Sequence, residues 1–378
     1  MIGLLQIIIY TISTLYKGRE NEHSARMSSL AANNQQIVDL NTTVKYLYKY
    51  VVPVIFIVGN IGNLLSILIF SKKSWRKNVC VFYFKIVILF NTCYLNSIGL
   101  GTIFIHGFHI SLQNSSSILC KSYIYTSFLF FCLSPTVLIL AFIDRLLISS
   151  QNIDTRLYSS KRLAYFSLSI GTCIWVIFNI HILVMFNIKQ IVPTVVVCLL
   201  DSSRIYTDFV TYFYSVMNVV FCLVMIILCV LSFKNVRRIR TVPREKRNQQ
   251  IRKMNKKDFQ LLRCLFVQGL VNVVLSMPFL LLYIYQAVTR DIIRTPFDQA
   301  LLTFLNRIFT VLYIMYYAST FFIFAAVSRA FRHELKSFIW KIVGKEVIPI
   351  REEENQPTNI VIQDNVEMNT IPTIVKST

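Results

Sequence analysis

The sequence predicts an all-α protein: a seven-transmembrane helix bundle with its N-terminus outside, followed by a short amphipathic eighth helix. Three observations lead there. Hydrophobic residues make up 55% of the 378 and charged residues only 15%, where soluble domains run to roughly a quarter charged. Seven apolar stretches are each long enough, at a rise of about 1.5 Å per residue, to cross a hydrocarbon core of about 30 Å. The Lys and Arg residues behind the formal net charge of +21 gather in alternate connecting segments, the arrangement that enforces membrane topology. Because the basic residues follow the loops, no nucleic-acid partner is expected.

Residues 1–45 read as an N-terminal segment outside the cell. Its first part, 1–16, is apolar, short for a span and without basic leading residues. It reads as a weak signal sequence or an over-long start, with Met27 the alternative start. Residues 17–44 are polar, and disorder is expected there. Asn41-Thr42-Thr43 is a glycosylation sequon if this end faces outside. The core, 46–327, holds spans at 46–71, 79–105, 118–149, 162–187, 206–233, 259–287 and 300–327. They lack period-two alternation, so they are helices rather than barrel strands. Residues 328–343 place Phe331, Leu335, Phe338 and Ile339 on one side, an amphipathic helix lying along the membrane. Residues 344–378 read as a disordered cytoplasmic tail with Ser and Thr open to phosphorylation.

Orientation follows from charge. Lys72, Lys73, Arg76 and Lys77 follow the first span, and Arg156, Lys161 and Arg162 the third. A dense basic set from Lys234 to Arg263 follows the fifth span, and Arg329, Arg332, Lys336, Lys341 and Lys345 follow the seventh. The opposite connections carry few cations, which predicts the N-terminus outside and the C-terminus in the cytoplasm. A second sequon, Asn114-Ser115-Ser116, falls on the same side as Asn41. Of nine cysteines, Cys120 and Cys198 alone border or occupy connections on that side. Outside the cell such a pair should oxidise, two unpaired thiols being the alternative. The other cysteines lie in apolar segments as small hydrophobes. The Cys and His residues show no metal-binding spacing, and the chain has neither a phosphate loop nor a nucleophile elbow, so neither an enzyme nor a cofactor is expected.

Several residues then fall into an order. Gly62-Asn63 lies in the first span, Cys120 heads the third, and Asp144-Arg145-Leu146 ends it. Trp175 is in the fourth, Cys198 in the next connection, and Pro278 in the sixth. Thr320-Phe321-Phe322-Ile323-Phe324 closes the seventh and is followed by Phe331-Arg332. Over roughly residues 45–340 this pattern resembles the rhodopsin-like (class A) G-protein-coupled receptors, in a divergent form similar to their peptide (FMRFamide-like) receptors. The chain also departs from the pattern. Asn91 stands in place of the second-helix Asp, and Leu275-Ser276-Met277-Pro278 lacks the Cys-Trp before its proline. Phe324 replaces a Tyr, the fifth span has no proline, and Pro135 interrupts the third. Either activation runs through altered packing or the receptor has drifted toward silence.

The resemblance implies a multi-pass plasma-membrane receptor. It would bind an extracellular ligand, a short peptide, inside the bundle and activate a heterotrimeric G protein, with membrane lipid as a further partner. It implies a Cys120–Cys198 disulfide and an activation switch of Asp144, Arg145, Asp258, Pro278 and Phe324, with Arg145 pairing to both acids at rest. Ligand contacts would come from Ser127, Phe128, Phe131, Phe279, Tyr283, Asn306 and Thr310, and polar core contacts from Asn63 and Asn91. Ser127 falls where amine receptors carry Asp, and Ile314 where opsins carry the retinal lysine, so neither ligand class is expected. The alternative is a seven-helix channel or transporter not coupled to G proteins, with Lys85, Asn91 and Asn96 as candidates for its path.

Overall fold

The computed structural model describes residues 26–76, 78–149, 159–192, 195–200, 204–241, 256–289 and 292–343. Within them the protein is a helical membrane bundle. Seven helices are long and apolar enough to cross: α1 Asn33–Phe70, α2 Val79–Gly107, α3 Ser117–Ile148, α4 Lys161–Met185, α5 Ile205–Ser232, α6 Asp258–Gln286 and α7 Pro296–Ala318. Past Ser319 the short α8 (Thr320–Val327) continues α7, and α9 (Arg329–Ile342) follows. The expected signal segment, 1–16, and tail, 344–378, lie outside the described residues. The bundle belongs to one compact unit ending at Leu335, and a second unit runs Lys336–Thr378.

Helix starts are written locally. Asn78 caps α2 by accepting from the Cys80 amide, and Ser160 caps α4 by accepting from that of Leu163. Thr295 and Asp298 form a reciprocal capping box at α7, with Pro296 in the first turn. Each satisfies amides that a helix end leaves without partners. The helices then sort their faces for lipid rather than water. On α1, Val54, Ile57, Ile61, Leu64 and Leu68 are exposed at three- and four-residue spacing. Gly59, Gly62, Asn63 and Ser66 face inward. Small residues inside let helices approach where no hydrophobic effect drives them together. A Cβ on Gly59 would stand 2.6 Å from the Ala318 Cβ of α7, so α1 and α7 can pack this closely only with glycine there.

One expectation about the end of an element is corrected. The first helix begins well before residue 46: of residues 17–44, expected to be disordered, 26–44 are helical. Ile37, Leu40, Val44 and Leu47 recur at helical spacing as its less exposed stripe, and this extension packs against α7. Extending a formed helix costs far less than nucleating one, so a polar segment joined to a spanning helix stays helical. Asn41 is exposed on it.

The connection after α4 holds a β-hairpin that was not foreseen within the otherwise helical bundle. Strands β1 (Phe186–Val192) and β2 (Val195–Leu200) pair antiparallel, Ile188 opposite Cys198, with a bulge between Gln190 and Val192. Val195-Val196-Val197 after Pro193-Thr194 is the β-branched run that marks it. Helix widening was not foreseen either. π-turns interrupt α1 at Leu47–Val51 and α2 at Leu95–Gly99 and Ile103–Gly107. The first carries Tyr48, which is fully buried and donates its hydroxyl to the Arg307 carbonyl at 3.0 Å.

Candidate functional site

α3 has two chemically different ends. At its start a disulfide joins Cys120 to Cys198 of β2, with Cα atoms 5.6 Å apart and 78 residues of separation. Asn114 Oδ1 accepts from the Cys198 amide at 3.0 Å, so this sequon asparagine also holds the hairpin. Ser117 donates to Asn187 Oδ1 at 2.8 Å from the other strand.

Inward from the disulfide lies a cavity of about 230 Å³. Ser127, Phe128 and Phe131 from α3, Phe279 and Tyr283 from α6, and Thr310 from α7 line it. Asn306, expected beside them, does not. It stands one turn, about 5.4 Å, nearer Pro296 than Thr310, and its buried Oδ1 has no partner among the described residues. Sequence reasoning missed the tyrosines that complete the wall, Tyr94, Tyr123, Tyr214 and Tyr313. Each reads as ordinary core or interface aromatic until the helices are assembled. No charged side chain lines the cavity among the described residues.

Beneath the cavity the tyrosines continue as a stack. Tyr313 lies parallel to Phe279 at 5.9 Å, Tyr94 stacks on Tyr317 at 3.8 Å, and Tyr317 donates its hydroxyl to that of Tyr313 at 3.1 Å. The Tyr317 carbonyl accepts from Asn63 Nδ2 at 3.3 Å. Separately, a buried neutral network crosses the bundle. Ser134 donates to Asn91 Oδ1 at 2.9 Å, Asn91 Nδ2 donates to Thr320 Oγ1 at 3.0 Å, and Gln268 Nε2 reaches the same hydroxyl at 3.3 Å. Pro278, one residue before Phe279, lies inside α6 and leaves that turn without one backbone bond.

At the far end of α3 the charges are paired. Arg145 is 3% exposed. It donates from Nη2 and Nε to Asp144 Oδ2 at 2.7 and 3.1 Å, and from Nη1 to Asp258 Oδ1 of α6 at 3.2 Å. Its Nη2 also reaches Asn78 Oδ1 at 3.3 Å. Asn78 Nδ2 in turn donates to Asp258, and Ser159 donates to Asp144 Oδ1 at 2.6 Å. Asn78 and Ser159 were not foreseen. Asn78 reads from sequence only as a helix cap, a role it also performs. Below them Phe324 is fully buried, edge-on to Phe70 and Phe84 at 4.8 Å each and 5.6 Å from Phe331. A hydroxyl there would have no polar neighbour among these rings, which fits a Phe at this position.

Comparison with protein-family models and with curated proteins finds no match.

Proposed function

We propose that the chain is a cell-surface receptor of the rhodopsin-like class A type, with its disulfide end outside the plasma membrane and its Asp-Arg end toward a cytoplasmic G protein. One observation carries this reading: a buried Arg145 joined to its neighbour Asp144 on α3 and to Asp258 on α6, at the end opposite the disulfide and the cavity. An ion pair between two helices biases them toward one packing. Breaking it frees α6 to move relative to α3. The cavity supplies the other half of a receptor, a mostly aromatic concavity with a few hydroxyls and amides. At about 230 Å³ it is smaller than the roughly 300–1,000 Å³ of whole-ligand pockets. It suits the end of a short peptide better than the whole of one.

The stack from Phe279 through Tyr313 and Tyr317 to Asn63 gives a ligand in the cavity a packed route toward α1. This stack stands in for the Trp that α6 lacks. The amphipathic α9 follows the bundle as a surface helix, with Phe331 in the core and Ile339 and Trp340 exposed.

Basal G-protein activation in cells, normalised to surface level, tests the reading. Arg145→Ala should abolish whatever basal signal the wild type shows. Currents that persist without G protein, and that Arg145→Ala leaves unchanged, would favour the channel instead. The suggested path residues give that alternative little support: Asn96 is exposed and bonded to Asn60, while Asn91 is sealed in the core network.

A further inference from the structure

A second concavity, of about 180 Å³, lies toward the disulfide end, where α2, α3 and the connection between them meet. Leu100, Phe104 and Ile105 of α2, with Leu112 and Leu119, supply its apolar wall. Leu100, Leu112 and Leu119 are exposed. On α2, Leu89, Asn96 and Leu100 recur at helical spacing as the exposed stripe. In a spanning bundle such a stripe faces lipid tails, so this concavity opens to hydrocarbon. Tyr123 forms another wall, its ring packed on Gly101 so closely that a Cβ there would stand 2.4 Å from Tyr123 Cε2. The same tyrosine lines the first cavity, so one ring is wall to both.

The polar groups around this concavity are not equivalent. Asn96 Nδ2 donates to Asn60 Oδ1 and to the Thr92 carbonyl, each at 2.8 Å, and Ser97 Oγ donates to the Cys93 carbonyl at 2.8 Å. Gln113 differs: its Oε1 is buried and has no hydrogen-bond partner among the described residues. It sits in a single 3-10 turn, Leu112–Asn114, whose Asn114 accepts from the amide of the disulfide-bonded Cys198. A fixed, buried acceptor at the edge of an apolar concavity fits a ligand with one donor on an apolar body. No Lys or Arg lines the concavity among the described residues, so nothing there matches a phosphate headgroup.

We propose that this concavity is a second, lipid-facing binding site that takes a sterol. The sterol hydroxyl donates to Gln113 Oε1, and its ring body lies along Leu100, Phe104 and Leu119. The volume encloses only the hydroxyl-bearing end, and the remainder stays among lipid tails. A rigid ring body loses less freedom on binding than a flexible chain alcohol does. Water is the rival partner for Gln113, and it would need no apolar wall. The inference requires a membrane-spanning bundle and does not rest on the receptor reading.

The test uses the purified full-length protein in phosphatidylcholine nanodiscs, with thermal unfolding as the first readout. The probes are cholesterol, cholesteryl methyl ether, which has no hydroxyl to donate, and oleyl alcohol. Cholesterol should raise the unfolding temperature of the wild type more than its ether does. Gln113→Leu should erase that difference while being at least as stable as the wild type in sterol-free discs, because it removes an unpaired acceptor. Leu100→Trp, which fills the concavity from its exposed side, should also remove the gain. As a second readout, a photoreactive cholesterol should label residues 96–105 or 112–123 of the wild type. Unlabelled cholesterol should compete about tenfold more weakly in Gln113→Leu. Equal gains from cholesterol and its ether, or in wild type and Gln113→Leu, assign the effect to water or to the bilayer and overturn the proposal. So does labelling confined to other segments. A gain from oleyl alcohol equal to that from cholesterol overturns the sterol assignment. If Gln113→Leu fails to fold, the ether comparison and the labelling of the wild type still decide.

Discussion

Two arginines in one bundle show how differently the same side chain can be held. Arg145 is 3% exposed and surrounded by Asp144, Asp258 and Asn78, with Ser159 fixing the second oxygen of Asp144. Arg307 is half-buried on α7, and its backbone carbonyl accepts from the Tyr48 hydroxyl at 3.0 Å. The first charge is compensated from two helices and a loop, so it contributes to which packing the bundle adopts. The second has no carboxylate within salt-bridge distance among the described residues, so no ion pair there ties one helix to another. A buried charge contributes to packing when its partners stand on other helices of the chain.

The sharpest way to break this comparison is to remove each charge in turn and measure thermal stability. Arg145→Ala leaves the Asp144 carboxylate buried beside only Ser159 and should cost about 3 kcal/mol. Arg307→Ala strands no carboxylate among the described residues and should leave stability unchanged or raise it. Equal losses in both would mean that Arg307 has a partner of its own. Next in size is Asn78→Ala, which removes the α2 cap and the amide linking Arg145 to Asp258. Loss of a cap alone costs about 1 kcal/mol, and the bridging bonds should bring the total to about 2 kcal/mol. Unfolding in nanodiscs would register it, and a loss confined to the cap value would show that the bridge contributes nothing.

Asp258→Asn keeps the oxygen that accepts from Asn78 and removes the charge. The carboxyl is 19% exposed, so the loss should be about 1 kcal/mol. A rise in basal signalling should accompany it, and an unchanged basal level at normal surface expression would remove Asp258 from the switch. The smallest effect belongs to Lys72–Glu334, an ion pair at 2.8 Å with both side chains about a quarter exposed. Glu334→Gln should change stability by less than about 1 kcal/mol. A larger loss would mean that water exposure does not separate the two kinds of pair in this bundle.

How much of this was readable beforehand depended on whether the physics was local. Seven spans were readable because hydrocarbon demands long uninterrupted apolar helices, and their caps because Asn78, Ser160 and Thr295 stand just before apolar runs. Six of the residues that the resemblance placed at a ligand do line the cavity. Asn306 shares the phase but stands a turn too high, and phase carries no information about depth. The helical extension was also legible in Ile37, Leu40 and Val44, yet their polar surroundings outweighed three apolar residues.

Other features had no local signal. That Asn78 would bridge α3 to α6 depends on how segments 67 and 180 residues apart come together once lipid has excluded the alternatives, and Ser159 holds Asp144 only because the chain 15 residues on returns to the end of α3. Tyr94, Tyr313 and Tyr317 become a stack only when α2 meets α7. Composition and period dictate that helices form, where they begin, and which face avoids lipid, because those are properties of a dozen neighbouring residues. The pairing of Arg145, and the lack of an ion-pair partner for Arg307 among the described residues, are properties of the assembled bundle, because a charge is compensated across space and not along the chain.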